Sequence, residues 1–258
     1  MQITSTKNPL LQKIRRAAAA GQPTDEGLIV GEGPHLLEEA LGGTWRIEQV
    51  LTTPEGRDRY ADLLCRVDAE VVEVSARALA STSATETTRE VIALLRPRAW
   101  SWRDMIASSA LVVALDGIQD PGNAGTIVRS AEAFGATGVV FLSGCAHVAN
   151  GKLLRATAGS IFRVPFLEGI RPAELVEQTR AAGLKLYALA AQGESGLRET
   201  DLRGRLALAV GSEGAGISAE LEAEAVGISI PTENVESLNA AVACSIALFE
   251  AQRQRRKP

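Results

Sequence analysis

The chain has 258 residues, 46% of them hydrophobic and 22% charged, with a formal net charge of −4. That is enough chain for two cores and the composition of a soluble globular protein. No apolar run approaches the roughly 20 residues that cross a bilayer. The stretch around Lys7, Asn8 and Pro9 also lacks the apolar core of a secretory signal, so no membrane partner and a cytoplasmic location are expected.

The net charge argues against a general nucleic-acid binder, yet the cations are unevenly placed. Lys7, Lys13, Arg15 and Arg16 fall in an opening segment with no acid, and Arg253, Arg255, Arg256 and Lys257 close the chain. Such patches can contact phosphates; charge alone favours the simpler reading of solvated helix ends. Cys65, Cys145 and Cys244 are odd in number and dispersed, and His35 and His147 lie apart. Neither a disulfide framework nor a metal site is expected.

In chain order, Asn8-Pro9 opens an Ala-rich segment that predicts a helix over 10–20. A short strand is predicted at 27–31, a helix at 34–41 ended by Gly42-Gly43, and strands at 47–52 and 71–74 around a helix at 57–65. These make a small α/β domain over 1–95. Residues 96–108, with Pro97, Trp100 and Trp102, read as a linker whose tryptophans anchor it on a domain. A second α/β domain is predicted over 109–258. Its strands are expected at 111–115, 138–142, 184–190, 206–211 and 227–230, with helices at 124–134, 151–157, 172–182 and 238–254. Strands alternating with helices predict a parallel sheet, which binds ligands beyond its carboxyl ends.

Three loops fall at those ends. After 111–115 comes Asp120-Pro121-Gly122-Asn123, a turn with Asn123 placed to cap the next helix and Arg129 on that helix's outer side. From pattern alone Arg129 reads as a surface arginine beside Glu132. After 206–211 comes Gly211-Ser212-Glu213-Gly214-Ala215-Gly216, whose glycines let backbone approach a flat ligand. Its spacing is neither the dinucleotide fingerprint nor a phosphate loop, which makes a nucleotide-dependent dehydrogenase a poor reading. After 227–230 comes Ile230-Pro231, and then Ser237-Leu238-Asn239. Ser237 is placed to cap the last helix, and Asn239 is less well explained as a residue of its first turn.

These loops, in this order, resemble the SpoU (TrmH-like) RNA 2′-O-ribose methyltransferases of the SPOUT superfamily. The family's Asn-x-Gly-x-x-x-Arg matches Asn123, Gly125 and Arg129. Its Gly-x-Glu-Gly-x-Gly matches Gly211, Glu213, Gly214 and Gly216. Its Ile-Pro and Ser-Leu-Asn match Ile230, Pro231, Ser237, Leu238 and Asn239. The run from Arg155 to Pro165 and, more loosely, the N-terminal half are also similar. One departure is Asn234, where the family often has glycine; asparagine tolerates the left-handed conformation such a turn needs.

The resemblance implies an α/β architecture: a C-terminal trefoil-knotted parallel-sheet methyltransferase domain, working as a homodimer, behind a small N-terminal α/β RNA-binding domain. It implies S-adenosylmethionine as cofactor, lined by Gly211, Gly214, Leu189, Ile230 and Leu238. It implies Asn123, Arg129, Glu213, Ser237 and Asn239 around the acceptor ribose. Lys7, Asn8, Arg15, Arg16 and Arg155 are the expected RNA contacts. Ribosomal RNA is the expected substrate; transfer RNA, or an inactive RNA-binding protein on the same scaffold, are the alternatives.

Overall fold

The computed structural model describes residues 2–82, 90–106, 109–191 and 193–256. The chain forms two compact units, Met1–Ala99 with His147–Arg163, and Trp100–Ala146 with Val164–Pro258.

The first unit opens with helix α1 (Pro9–Ala20). Asn8 caps it, its Oδ1 accepting from the Leu10 N–H at 2.9 Å, and Gly21 ends it in the left-handed region. Leu11, Ile14 and Ala17 form the buried stripe, packed with Val30, Leu51, Ile92 and Leu94. Strand β1 (Ile29–Glu32), α2 (Pro34–Leu41) and β2 (Arg46–Thr52) follow. The expected helix over 57–65 is two short ones, α3 (Pro54–Arg59) and α4 (Ala61–Leu64), because Tyr60 between them leaves helical geometry at φ −112°. After β3 (Glu70–Glu73) and α5 (Ala76–Ala80) comes β4 (Val91–Arg96), which periodicity did not predict. β4 is central: the order is β1-β4-β2-β3, with β4 antiparallel to both neighbours and β2 parallel to β3. Both faces of Val91–Leu95 are covered, so the run shows no alternation.

The second unit begins with α6 (Trp102–Met105), inside the segment read as a linker; residues 107–108 of that segment lie outside the described residues. Met105 is fully buried in this unit's core and Trp102 packs against the same cluster, as expected of an anchor. The strands are β5 (Leu111–Asp116), β6 (Gly138–Leu142), β7 (Phe166–Ile170), β8 (Lys185–Leu189), β9 (Ser195–Gly196), β10 (Leu206–Gly211) and β11 (Val226–Ser229). They make one parallel sheet in the order β7-β6-β5-β10-β8-β11-β9. β7 and β9 were not predicted. The helices are α7 (Pro121–Ala133), α8 (Gly151–Ala156, in the first unit), α9 (Pro172–Ala181), α10 (Ala219–Glu222) and α11 (Ala240–Arg255).

Residues 147–163, expected with the C-terminal domain, cluster with the first unit. There α8 packs on β1, and the Phe162 ring meets Trp45 edge-on at 5.0 Å between centroids. Helical periodicity says that α8 buries a face, not which core receives it.

Candidate active site

β10, β8 and β11 end together, and the loops leaving them surround a cavity of about 430 Å³. Volume and position are those of a small-molecule site at the carboxyl edge of a parallel sheet. Leu189, Gly211, Glu213, Ile230, Ser237 and Leu238 line it, which places four of the five expected cofactor residues on its wall. Gly214 is in the same loop, exposed, and not on the wall.

The glycine loop is built by close backbone approach. A Cβ on Gly211 would stand 2.1 Å from the Gly216 carbonyl oxygen, so no other residue fits there without opening the loop. Gly216, at φ +70°, donates its N–H to the Ser212 carbonyl at 2.9 Å and closes the turn. The far end of the loop is held by Asp116, a buried carboxylate at the tip of β5 that accepts from the Ser218 N–H at 2.6 Å. Asp116 also pairs in register with Gly211. Asp116 is not among the residues expected at the site, although an acid closing an all-apolar strand is a visible signal. In the third loop Asn234 takes φ +61°, the left-handed turn expected of it.

Two expectations about capping are corrected. Asp120, not Asn123, caps α7, its Oδ1 accepting from the Asn123 N–H at 2.9 Å. Asn239, not Ser237, caps α11, its Oδ1 accepting from Ala241 and Val242 at 3.0 and 3.2 Å. An asparagine has a second end. The Asn239 Nδ2 donates to Glu213 Oε1 at 2.5 Å and to Asn123 Oδ1 at 3.1 Å, while Asn123 Nδ2 donates to the same Glu213 oxygen at 3.2 Å. One residue from each loop thus meets at one carboxylate. Asn239 is explained structurally after all, because only a side chain with both acceptor and donor can cap the helix and hold Glu213.

Arg129 does not join this cluster. It is exposed on α7, away from the cavity wall, with no hydrogen bond or ion pair to a described residue, so the expected pairing with Glu132 is absent. Among the described residues no group of carboxylates, thiols and imidazoles could hold a metal ion.

The expected RNA contacts all fall in the first unit: Lys7, Arg15, Arg16 and Arg155 are exposed, and Asn8 is occupied in capping α1. Of the C-terminal cations, Arg253 and Arg256 are exposed at the end of α11, as expected of a solvated helix end, and Arg255 is not. Arg253 bridges Glu250 at 2.7 Å, and Arg255 turns inward to donate to the carbonyls of Leu202, Ser109 and Ala110 at 2.8, 3.0 and 3.2 Å. Burial lowers the Arg255 pKa. Lys257 lies outside the described residues.

Known proteins are similar to this chain in sequence and fold. Residues 110–249 match the model of the SpoU rRNA Methylase family, and residues 8–93 match an MRM3-like substrate binding domain. An uncharacterised tRNA/rRNA methyltransferase of Synechocystis is 35% identical, covering 98% of this chain and 94% of its own. The 23S rRNA guanosine 2′-O-methyltransferase RlmP of Bacillus subtilis is 32% identical over 96% of this chain and 98% of its own. Among solved structures, the SpoU methyltransferase AviRb of Streptomyces viridochromogenes in complex with AdoMet superposes with a TM-score of 0.86 at 28% identity, covering 96% of this chain and 98% of that one. A family model spanning every strand of the parallel sheet, relatives matched nearly end to end, and a loop cluster built from the family's motif residues agree: the chain belongs to the SpoU rRNA methylase family.

Proposed function

We propose that the protein transfers a methyl group from S-adenosylmethionine to a ribose 2′-hydroxyl of ribosomal RNA, in the cytoplasm. The observation that carries this reading is the Asn123–Glu213–Asn239 cluster beside the carboxyl-edge cavity. The cavity fits the cofactor in chemistry as well as size. Alanine, isoleucine and leucine side chains offer apolar walls, the Gly211–Gly216 turn brings backbone close, and Glu194, Glu213, Glu222 and Glu236 surround it with no lysine or arginine. A cationic ligand with a flat ring suits such a lining. Ribosomal RNA is favoured by the relatives named as 23S rRNA 2′-O-methyltransferases.

When bound, S-adenosylmethionine supplies an electrophilic methyl on a sulfonium sulfur. The protein's part is to hold the ribose oxygen in line with it and to accommodate the loss of the hydroxyl proton. Asn123 and Asn239, tied through Glu213, fix the three loops and orient the ribose. Arg129, whose guanidinium can hold two oxygens at once, stabilises the developing alkoxide and grips the adjacent phosphate. Ser237 on the cavity wall and the phosphate oxygens are the routes by which the proton leaves.

The site is completed in a homodimer of knotted subunits. Val242, Ile246 and Phe249 form an exposed apolar stripe along α11, beginning one turn after Asn239. The isolation of Arg129 supports the same reading, since a second copy seated on this stripe can bring its own arginine to the site.

The test is labelled-methyl transfer from S-adenosylmethionine to unmodified 23S ribosomal RNA and, separately, transfer RNA, with the product nucleotide mapped. A 2′-O-methylated ribose in ribosomal RNA is expected, lost in Arg129→Ala. Label in a base, or full activity of Arg129→Ala, would overturn the reaction or the arginine's role respectively.

A further inference from the structure

The first unit holds a second cavity that methyl transfer does not use. It encloses about 240 Å³, the scale of a single nucleobase and not of a whole cofactor. Ala18, Ala19 and Ala20 from the last turn of α1 form an apolar wall, and Asn150 and Gly151 at the start of α8 face them. Gly21, which ends α1, approaches Asn150 so closely that a Cβ there would lie 3.1 Å from the Asn150 Nδ2.

The charges in this cavity are arranged unlike those of the first. Glu32, at the end of edge strand β1, lines it while only 7% exposed. Lys152 and Arg155, three residues apart on α8, line it and are exposed. Arg15 and Arg16 lie four residues before Ala19 and Ala20, hence on the same side of α1, and are exposed too. One buried carboxylate thus shares the cavity with two exposed cations, and two more lie one turn back along α1. A ligand matching this pattern carries N–H donors on a flat inner part and negative charge on its outer parts.

A carboxylate has about four acceptor positions, so Glu32 can serve a ligand alongside partners within the chain. Guanine alone among the four bases sets two N–H donors side by side, at N1 and N2, and they match the two oxygens of a carboxylate. Adenine and cytosine place a ring acceptor beside their amino group, which a carboxylate repels. Unpaired RNA bases are read on this edge, with phosphates held by Lys and Arg.

We propose that this cavity receives one unpaired guanosine of the substrate RNA, its base edge on Glu32 and its flanking phosphates on Lys152 and Arg155. The assignment rests on the reading of RNA as substrate. It gives the first unit a defined specificity element in addition to general phosphate attraction.

The experiment uses the full-length chain saturated with S-adenosylmethionine, so that the large cavity is filled. GMP, AMP, CMP and UMP are titrated separately while backbone amide NMR signals are followed. GMP is expected to bind about tenfold more tightly than the other three, the discrimination of one good bidentate contact, with shifts confined to residues 18–21, 30–32 and 149–155. Glu32→Gln is expected to remove the preference and leave the weaker phosphate-driven binding. Because Glu32 is buried, Ala19→Glu on the exposed wall is the companion variant; it is expected to weaken all four nucleotides without changing cofactor affinity. Equal binding of the four nucleotides, or shifts outside those segments, would overturn the proposal. Wild-type protein that methylates ribosomal RNA but shows no guanosine preference refutes the pocket alone. Protein that shows the preference but transfers no methyl refutes the reaction and leaves the pocket standing.

Discussion

Asn239 carries two duties on one amide, and substitution can separate them. Asn239→Ala loses the cap of α11, about 1 kcal/mol, and also the link to Glu213. Asn239→Asp keeps an oxygen for Ala241 and Val242 but sets a carboxylate against Glu213. The expected outcome is loss of methyl transfer in both, with a melting temperature lowered at all pH values in the alanine variant but recovered at acid pH in the aspartate variant, read by calorimetry and a labelled-methyl assay. Gly211→Ala forces a Cβ into the Gly216 carbonyl. Overpacking of this kind costs about 1–3 kcal/mol, so a fall of roughly tenfold or more in S-adenosylmethionine affinity is expected by titration calorimetry. Glu250 supplies a pH dependence. The Arg253 guanidinium, then the Gln254 amide, draw its carboxyl down from 4.5 to about 2. A depressed acid stabilises the fold while ionised, so its contribution is complete above pH 4.5 and lost as the pH falls toward 2. Melting temperatures of the wild type should drop more steeply across that interval than those of Glu250→Gln.

At the scale of the element, α11 has one face in the core and one exposed. Ala240, Ala241, Cys244, Ala247, Leu248 and Ala251 are buried, whereas Val242, Ile246 and Phe249 are not, and the Ser130 and Ser245 hydroxyls join α7 to α11 at 2.7 Å. On the proposed homodimer, Ile246→Asp with Phe249→Asp should give a folded monomer, seen as a halved mass in light scattering with an unchanged circular dichroism spectrum. An unchanged mass would remove the stripe as the interface. The loops were the most legible elements, because Asp120-Pro121-Gly122, the three glycines of 211–216 and Ile230-Pro231 are local turn chemistry with a fixed meaning. β4 was illegible for the opposite reason. Covered on both faces, it offers an apolar run without period, and only its neighbours β1 and β2 declare it a central strand. Asp120 and Asn239 as caps were hidden by a one-turn uncertainty in where α7 and α11 begin, which periodicity cannot resolve.

For the molecule as a whole, the fold sorts the three thiols. Cys65 is exposed, Cys145 is raised to about 11 by burial, and Cys244 is wholly buried and pushed up to about 12. A thiol reagent at neutral pH should find one fast site in the native protein, at Cys65, and all three after denaturation; a second fast site would contradict the packing around Cys145 or Cys244. The sequence by itself determined the two α/β regions, the parallel sheet of the second and the three motif loops, because turns, caps and hydrophobic period are written in neighbouring residues. Only the tertiary structure decided that residues 147–163 join the first unit, that Glu213 is held by Asn123 and Asn239, and that Arg129 stands apart from them. Those outcomes depend on which distant surfaces bury one another, and no local pattern encodes the partner.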